Sequence, residues 1–124
     1  MSNPTLLKSF TAGAAITAFR LVKLSAAETV VPAAAAADAS IGVANEVAAA
    51  SGERQDVVMA GIAFVEAGAA VALGALVTSD ASGRGVTAAA SAGSNVRVIG
   101  TALDAASAAG DVIRVLLSPG SFQG

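Results

Sequence analysis

The sequence predicts an all-β protein, a small β-barrel or sandwich of short antiparallel strands with an internal duplication and an extended N-terminal arm. Three observations predict it. Clusters of Ile and Val a few residues long recur along most of the chain, each bounded by Gly, Ser, Asp or Asn, the pattern of short strands separated by turns. Ser79-Asp80-Ala81-Ser82-Gly83-Arg84-Gly85 has the chemistry of a hairpin loop, because Asp initiates turns and Gly accepts positive φ. The third observation is a self-similarity: AGAAITAFRLVKL, Ala12 to Leu24, aligns without a gap on AGAAVALGALVTS, Ala67 to Ser79, 55 residues on.

Taken in order, residues 1–10 read as an extended arm and residues 11–124 as a single β-rich domain. Ser2 to Phe10, SNPTLLKSF, places Pro4, Leu6, Leu7 and Phe10 in a stretch with neither helical nor strand periodicity, and Pro4 favours an extended chain for itself and Asn3. An apolar arm of this kind needs a surface to dock on; the alternative is that it adds an edge strand to its own barrel. Strands are expected over Ile16 to Leu24, Val30 to Ala33, Ile41 to Val47 and Asp56 to Val65. Further strands are expected over Ala75 to Ser79, Gly85 to Ala89, Val96 to Leu103 and Asp111 to Leu117. Ala33 to Ala39, AAAAADA, allows a turn or two of helix, since Ala has the highest helix propensity. In the tail, Pro119-Gly120 is expected to end the last strand, and Phe122 follows as a lone aromatic suited to a subunit contact.

The self-similarity continues downstream. Val31-Pro-Ala-Ala-Ala matches Val86-Thr-Ala-Ala-Ala, Ile41-Gly42-Val43-Ala44 matches Ile99-Gly100-Thr101-Ala102 at an offset of 58, and Gly52 to Gly61 resembles Gly110 to Gly120. A unit of this size cannot bury its own sheet face, so two copies are expected to pack into one barrel or sandwich with pseudo-twofold symmetry. Ala/Gly bias by itself also generates such matches, and the structure has to decide between the two.

Composition narrows the function. Hydrophobic residues make up 55% and charged residues 13% of the 124 residues, which excludes a disordered polyelectrolyte. With 33 Ala and 13 Gly, however, the apolar area per residue is small, and association is expected to add stability. There is no Cys and no His, which removes disulfides, thiolate metal sites, thiol nucleophiles and the usual neutral-pH base. The seven basic residues are scattered singly in a chain of net charge −2, whereas phosphate-backbone binding needs a basic stripe. No nucleic-acid partner and no cofactor are expected. The N-terminus lacks the pattern of a secretory signal, which points to the cytoplasm in which the chain is made.

Val57 to Val77, with Glu66 as its one charge, is long and apolar enough for a membrane span. Its flanks carry no positive cluster and no aromatic belt, and Gly61, Gly68 and Gly74 read better as punctuation between strands. No membrane partner is expected, and a small membrane protein stays as an alternative. Catalytic motifs are absent: neither Lys belongs to a phosphate-binding loop, and no nucleophile elbow occurs. Asp80-Ala-Ser82-Gly83 lacks the further acidic positions of a calcium loop. Glu53, Asp56 and Glu66 read as solvated charges at strand edges. Neither an enzyme nor a metal site is expected.

The stretches SNPTLLKSFTAGAAITAFRLVKL, GERQDVVMAGIAFVEAGAAVALGALVTSDASGRGVTAA and NVRVIGTALDAASAAGDVIRVLLSPGSFQG, about three-quarters of the chain, resemble the tailed-phage capsid cement, or head decoration, proteins of a small Ala/Gly/Val-rich prophage family. The resemblance implies a structural virion protein on the outer surface of an HK97-type head, where it clamps neighbouring major capsid subunits of the expanded shell. It further implies a homo-trimer, with a dimer as the alternative, and a shell-contacting arm, Ser2 to Phe10, in which Leu6, Leu7 and Phe10 make apolar contacts; Pro4, and Phe122 of the tail, are counted with them as candidate capsid or subunit contacts. A β-rich tail or tube accessory protein of a phage is the competing reading.

Overall fold

The computed structural model describes the backbone of residues 3–89 and 95–123, and the side chains within them except those of 3–5, 95, 119 and 121–123. Its described residues form nine strands: β1 (Asn3–Ala12), β2 (Leu21–Ala26), β3 (Thr29–Pro32), β4 (Ser40–Ala44), β5 (Arg54–Glu66), β6 (Leu76–Ser79), β7 (Gly85–Thr87), β8 (Asn95–Ala102) and β9 (Val112–Gln123). The sheet order is β1-β3-β2-β4-β5-β9-β8-β6-β7, with β1 also pairing β5. That extra pairing closes β1-β3-β2-β4-β5 into a five-stranded barrel, barrel 1. On the other side, β5-β9-β8-β6-β7 curls into barrel 2, which a parallel bridge between Ala67, just beyond β5, and Gly85 closes.

The duplication is written into the pairing register. Val22↔Pro32, Lys23↔Val31 and Leu24↔Val30 recur 55 residues on as Val77↔Thr87, Thr78↔Val86 and Ser79↔Gly85. Leu21↔Val43 recurs as Leu76↔Thr101, and Val43↔Val58 as Thr101↔Leu116. Even the closing strand repeats, since Lys8↔Val57 and Phe10↔Gln55 correspond to Ala63↔Val115 and Val65↔Ile113. One repeat is therefore β1 to the first half of β5, the other is the second half of β5 to β9, and β5 serves both. Gly61, at φ 92°, sits where β5 passes from one barrel to the other, a conformation that an L side chain resists.

The interiors match residue by residue. Barrel 1 is filled by Phe10, Ala12, Ile16, Val22, Ala44 and Val57, and barrel 2 at the same positions by Val65, Ala67, Val71, Val77, Ala102 and Val115. Inward positions alternate along each strand, and a five-stranded barrel is narrow, so small and β-branched side chains fill it. An Ala- and Val-rich sequence is what such an interior accepts.

Eight expected strands are found as β2 to β9, each with boundaries shifted by a few residues. Three local expectations change. The alternative reading of the arm, a strand added to its own barrel, is the one found: from Asn3 onward it is β1, antiparallel to β5 from Asn3↔Ile62 to Thr11↔Arg54, while residues 1–2 lie outside those described. Hydrogen bonding explains the change, because without β1 the edges of β3 and β5 would be unpaired. Residues 33–39 form turns instead of helix; the Asp38 carboxylate accepts from the Ala34 N–H and the Lys23 ammonium. Finally, β9 runs through Pro119-Gly120, pairing Val98↔Gly120 and Val96↔Phe122. Between Val98↔Gly120 and Gly100↔Leu117, Ser118 and Pro119 of β9 face the single residue Ile99 of β8, so Pro119 sits within a bulge, which tolerates a residue without an N–H.

Candidate functional site

The β6–β7 hairpin shows how local sequence fixes the loops. The Asp80 carboxylate accepts from the N–H groups of Ser82 (2.8 Å) and Arg84 (2.9 Å) and from the Arg84 guanidinium (3.1 Å), while Gly83 takes φ 79°. This hairpin abuts barrel 1, where the Leu21 N–H donates to the Gly83 carbonyl at 2.7 Å and the Arg20 guanidinium donates to the Ser82 carbonyl at 3.0 Å. Arg20 also pairs with Glu66 at 3.2 Å, and Phe19 meets Phe64 edge-on with centroids 6.1 Å apart. Strand β4 packs on β8 and β9, and Leu21, Val43 and Val58 of barrel 1 share one apolar cluster with the interior of barrel 2. The two barrels are thus joined rigidly, which fixes the relative placement of their outer walls.

Two outer surfaces stand out. The first is β1, where Leu6 and Leu7 are 52% and 42% exposed. Consecutive residues both reach solvent because the register shifts between them, so the usual alternation of a strand is broken there. The second is the outer wall of barrel 2, where Leu76, Thr101, Leu116 and Ile62 are paired in sequence across four strands. Leu76 and Leu116 are 46% and 45% exposed. Beside them, Arg114 holds Asp104 through two charge-assisted bonds, Nε to Oδ2 and Nη2 to Oδ1, each 2.9 Å. Those bonds, with a third from the Arg114 N–H, bring the Asp104 carboxyl down to about 2. This wall is an apolar strip with a fixed ion pair on its border.

The expected contact residues divide. Leu6 and Leu7 are exposed together, and Pro4 lies on the same strand opposite Gly61; the Pro4 side chain lies outside those described. Phe10 does not join them. It is 4% exposed, inside barrel 1, with the Lys8 ammonium 4.8 Å from its ring centroid, because its position on β1 is the inward one. Lys8 in turn bonds Glu28 at 2.8 Å, which draws the Glu28 carboxyl below its ordinary value. Phe122 pairs through its backbone with Val96, far along the sequence from Leu6 and Leu7, and its side chain lies outside those described. Sequence reasoning misses Leu76 and Leu116, because their repeat counterparts Leu21 and Val58 carry the same local pattern and are core residues.

Among the described residues, no group of three or more Asp or Glu side chains gathers as metal ligands. Asn45, Val47, Arg54, Gln55 and Asp56 line a hollow of about 270 Å³. There the Gln55 amide donates to the Val47 and Asp56 carbonyls, and its Oε1 has no partner among the described residues. No helix among the described residues is long and apolar enough to cross a membrane; the apolar window Val57 to Val77 is strand β5, a turn and the start of β6. The arrangement is that of two joined barrels with apolar outer strips, suited to surface contact.

Comparison with known proteins agrees with this reading. The family described as phage cement protein matches residues 2–117. Among solved structures, the N base of the head fiber gp8.5 of bacteriophage phi29 is similar, with a TM-score of 0.70 and 20% identity over 91% of this chain and 93% of that one. At that identity the likeness establishes the shared fold. No curated protein matches.

Proposed function

Because the chain belongs to the phage cement protein family, a family of capsid-associated structural proteins, we propose that it binds the outer surface of an HK97-type head and clamps neighbouring major capsid subunits of the expanded shell. The family match over nearly the whole chain carries this reading. A net charge of −2 with scattered basic residues suits the outside of a shell better than its DNA-facing interior. The shell contact is β1, through the exposed Leu6 and Leu7 with Pro4 on the same strand, and Phe10 supports it from within by filling the barrel under that strand. The protein is made in the host cytoplasm, carries no enzymatic activity and acts as a homo-trimer, with a dimer as the alternative. Many identical contacts engaged together provide avidity, so a small buried area per copy is enough to hold the shell.

The test is co-sedimentation of the purified protein with expanded heads that lack it, with bound copies counted per major capsid subunit. Saturation at a fixed ratio, with heads surviving higher temperature, is the expected result, and Leu7→Asp is expected to weaken binding while leaving the fold intact. Failure of the native protein to bind would overturn the proposal in favour of a tail or tube accessory role.

A further inference from the structure

Each repeat presents the same two surfaces, and among the described residues only one of each is used. On the outer wall of barrel 1, the paired residues Leu21, Val43 and Val58 are buried against barrel 2. On barrel 2 the residues at the same register are Leu76, Thr101 and Leu116, and this strip is open to solvent. The receiving surface is repeated as well. The end of barrel 2 that accepts barrel 1 contains Thr78, Ile99 and Leu117, all buried. Their counterparts in barrel 1, Lys23, Ile41 and Met59, are only half-buried, and Leu24 is 50% exposed where barrel 2 has buried Ser79.

Hydrogen bonds at the joint repeat the contrast. In barrel 2 the Gly83 carbonyl accepts from Leu21 of barrel 1, and the Glu66 N–H donates to the Phe19 carbonyl of barrel 1 at 3.0 Å. In barrel 1 the counterparts of Gly83 and Glu66 are Glu28 and Thr11, and they bond to each other, Thr11 N–H to Glu28 carbonyl at 2.9 Å. Glu28 even keeps the left-handed conformation of Gly83, at φ 59° against 79°. Barrel 1 therefore carries the receiving end of the joint, and no described residue of barrel 2 bonds to its Thr11–Glu28 pair as barrel 1 bonds to Glu66 and Gly83.

We infer that the outer wall of barrel 2 docks on the open end of barrel 1 of a second copy of this chain, as barrel 1 docks on barrel 2 within the chain. A second copy is the occupant because the molecule already packs this pair of surfaces once. The contact joins two different surfaces, so every copy has one of each to offer and association runs head to tail. It closes into a ring if the rotation per copy divides a full turn, and otherwise continues as a filament. Thr11 and Glu28 exchange their mutual bond for bonds to the incoming copy. The inference stands on the internal repeat and is independent of binding to a head.

The experiment is sedimentation velocity on the purified full chain across a concentration series, with no shell present. The native protein is expected to form oligomers. Leu116→Glu, which spoils the wall, and Leu24→Glu, which spoils the open end, are each expected to sediment as monomers with unchanged circular dichroism. Their equimolar mixture is expected to form a dimer, because each supplies the surface that the other lacks. A native protein that stays monomeric at high micromolar concentration would overturn the inference, as would variants that assemble like the native chain or a mixture that stays monomeric. If Leu116→Glu fails to fold, Leu76→Glu tests the same wall. A failure here leaves head binding by β1 standing, and loss of head binding leaves this contact standing.

Discussion

Replacing Phe10 by Ala separates a strand that builds the barrel from an arm that serves only the shell. Phe10 is 4% exposed and belongs to the cluster with Ile16, Val22, Val30 and Val57. Truncating a buried Phe costs about 3–5 kcal/mol, from lost transfer energy and the cavity left behind. The Lys8 ammonium above the ring, itself exposed to solvent, adds about 0.5 kcal/mol. A chain of 124 residues has a stability of roughly 6–19 kcal/mol at ordinary values per residue, so the loss is a large share of the total. At about 3–5 °C per kcal/mol for this length, the midpoint of thermal unfolding should drop by about 10–20 °C. The assay is urea unfolding followed by circular dichroism, with Lys8→Ala as a control expected to cost under about 1 kcal/mol. A loss below about 1 kcal/mol for Phe10→Ala at unchanged m-value would refute the assignment of residues 1–10 to the barrel and restore a free arm.

Three further outcomes follow from the same geometry. Deleting residues 1–10 removes most of β1, opens barrel 1 and leaves β5 unpaired along one edge, so the truncated protein should lose cooperative unfolding; a native-like transition by calorimetry would contradict this. Gly100 and its repeat counterpart Gly42 face the carbonyls of Leu116 and Val58, which a Cβ would overlap, so Gly100→Ala and Gly42→Ala should each cost about 1–3 kcal/mol, measurable as shifts in the urea midpoint. The Asp104 carboxyl lies at about 2 against an ordinary 3.8, so its contribution is fully present above the ordinary value and is lost as pH falls through the folded one. Asp104→Asn should therefore narrow the difference in melting temperature between about pH 5 and about pH 2.5, and an unchanged difference would count against the pair.

Much of the architecture was legible because it rests on short-range chemistry. Asp80, Gly83 and Gly85 marked the β6–β7 hairpin, and the Ile/Val clusters marked eight strands, because turn geometry and strand periodicity are local properties. The N-terminal strand was illegible for an equally physical reason. Leu6 and Leu7 are both exposed at a register shift, so β1 lacks the alternation that reveals a strand, and only β5 beside it supplies the pairing. Pro119-Gly120 misled similarly, since a bulge in β9 itself, where Ser118 and Pro119 face the single residue Ile99 of β8, lets the strand continue through the proline. Of the candidate contacts, exposure separated Leu6 and Leu7 from Phe10, and exposure depends on which face of a strand a barrel encloses.

By itself, then, the sequence determined the all-β class, most of the turn positions and the absence of His and Cys chemistry, whereas the duplication needed the pairing register to separate it from Ala/Gly bias. Tertiary structure alone decided that the duplicates form two barrels sharing β5, that Phe10 faces inward, and that Leu21 and Val58 are covered while Leu76 and Leu116 are not. Identical registers give the two walls the same local pattern. Which wall is buried depends on which barrel sits against it, a contact between residues far apart in the chain that no local pattern encodes.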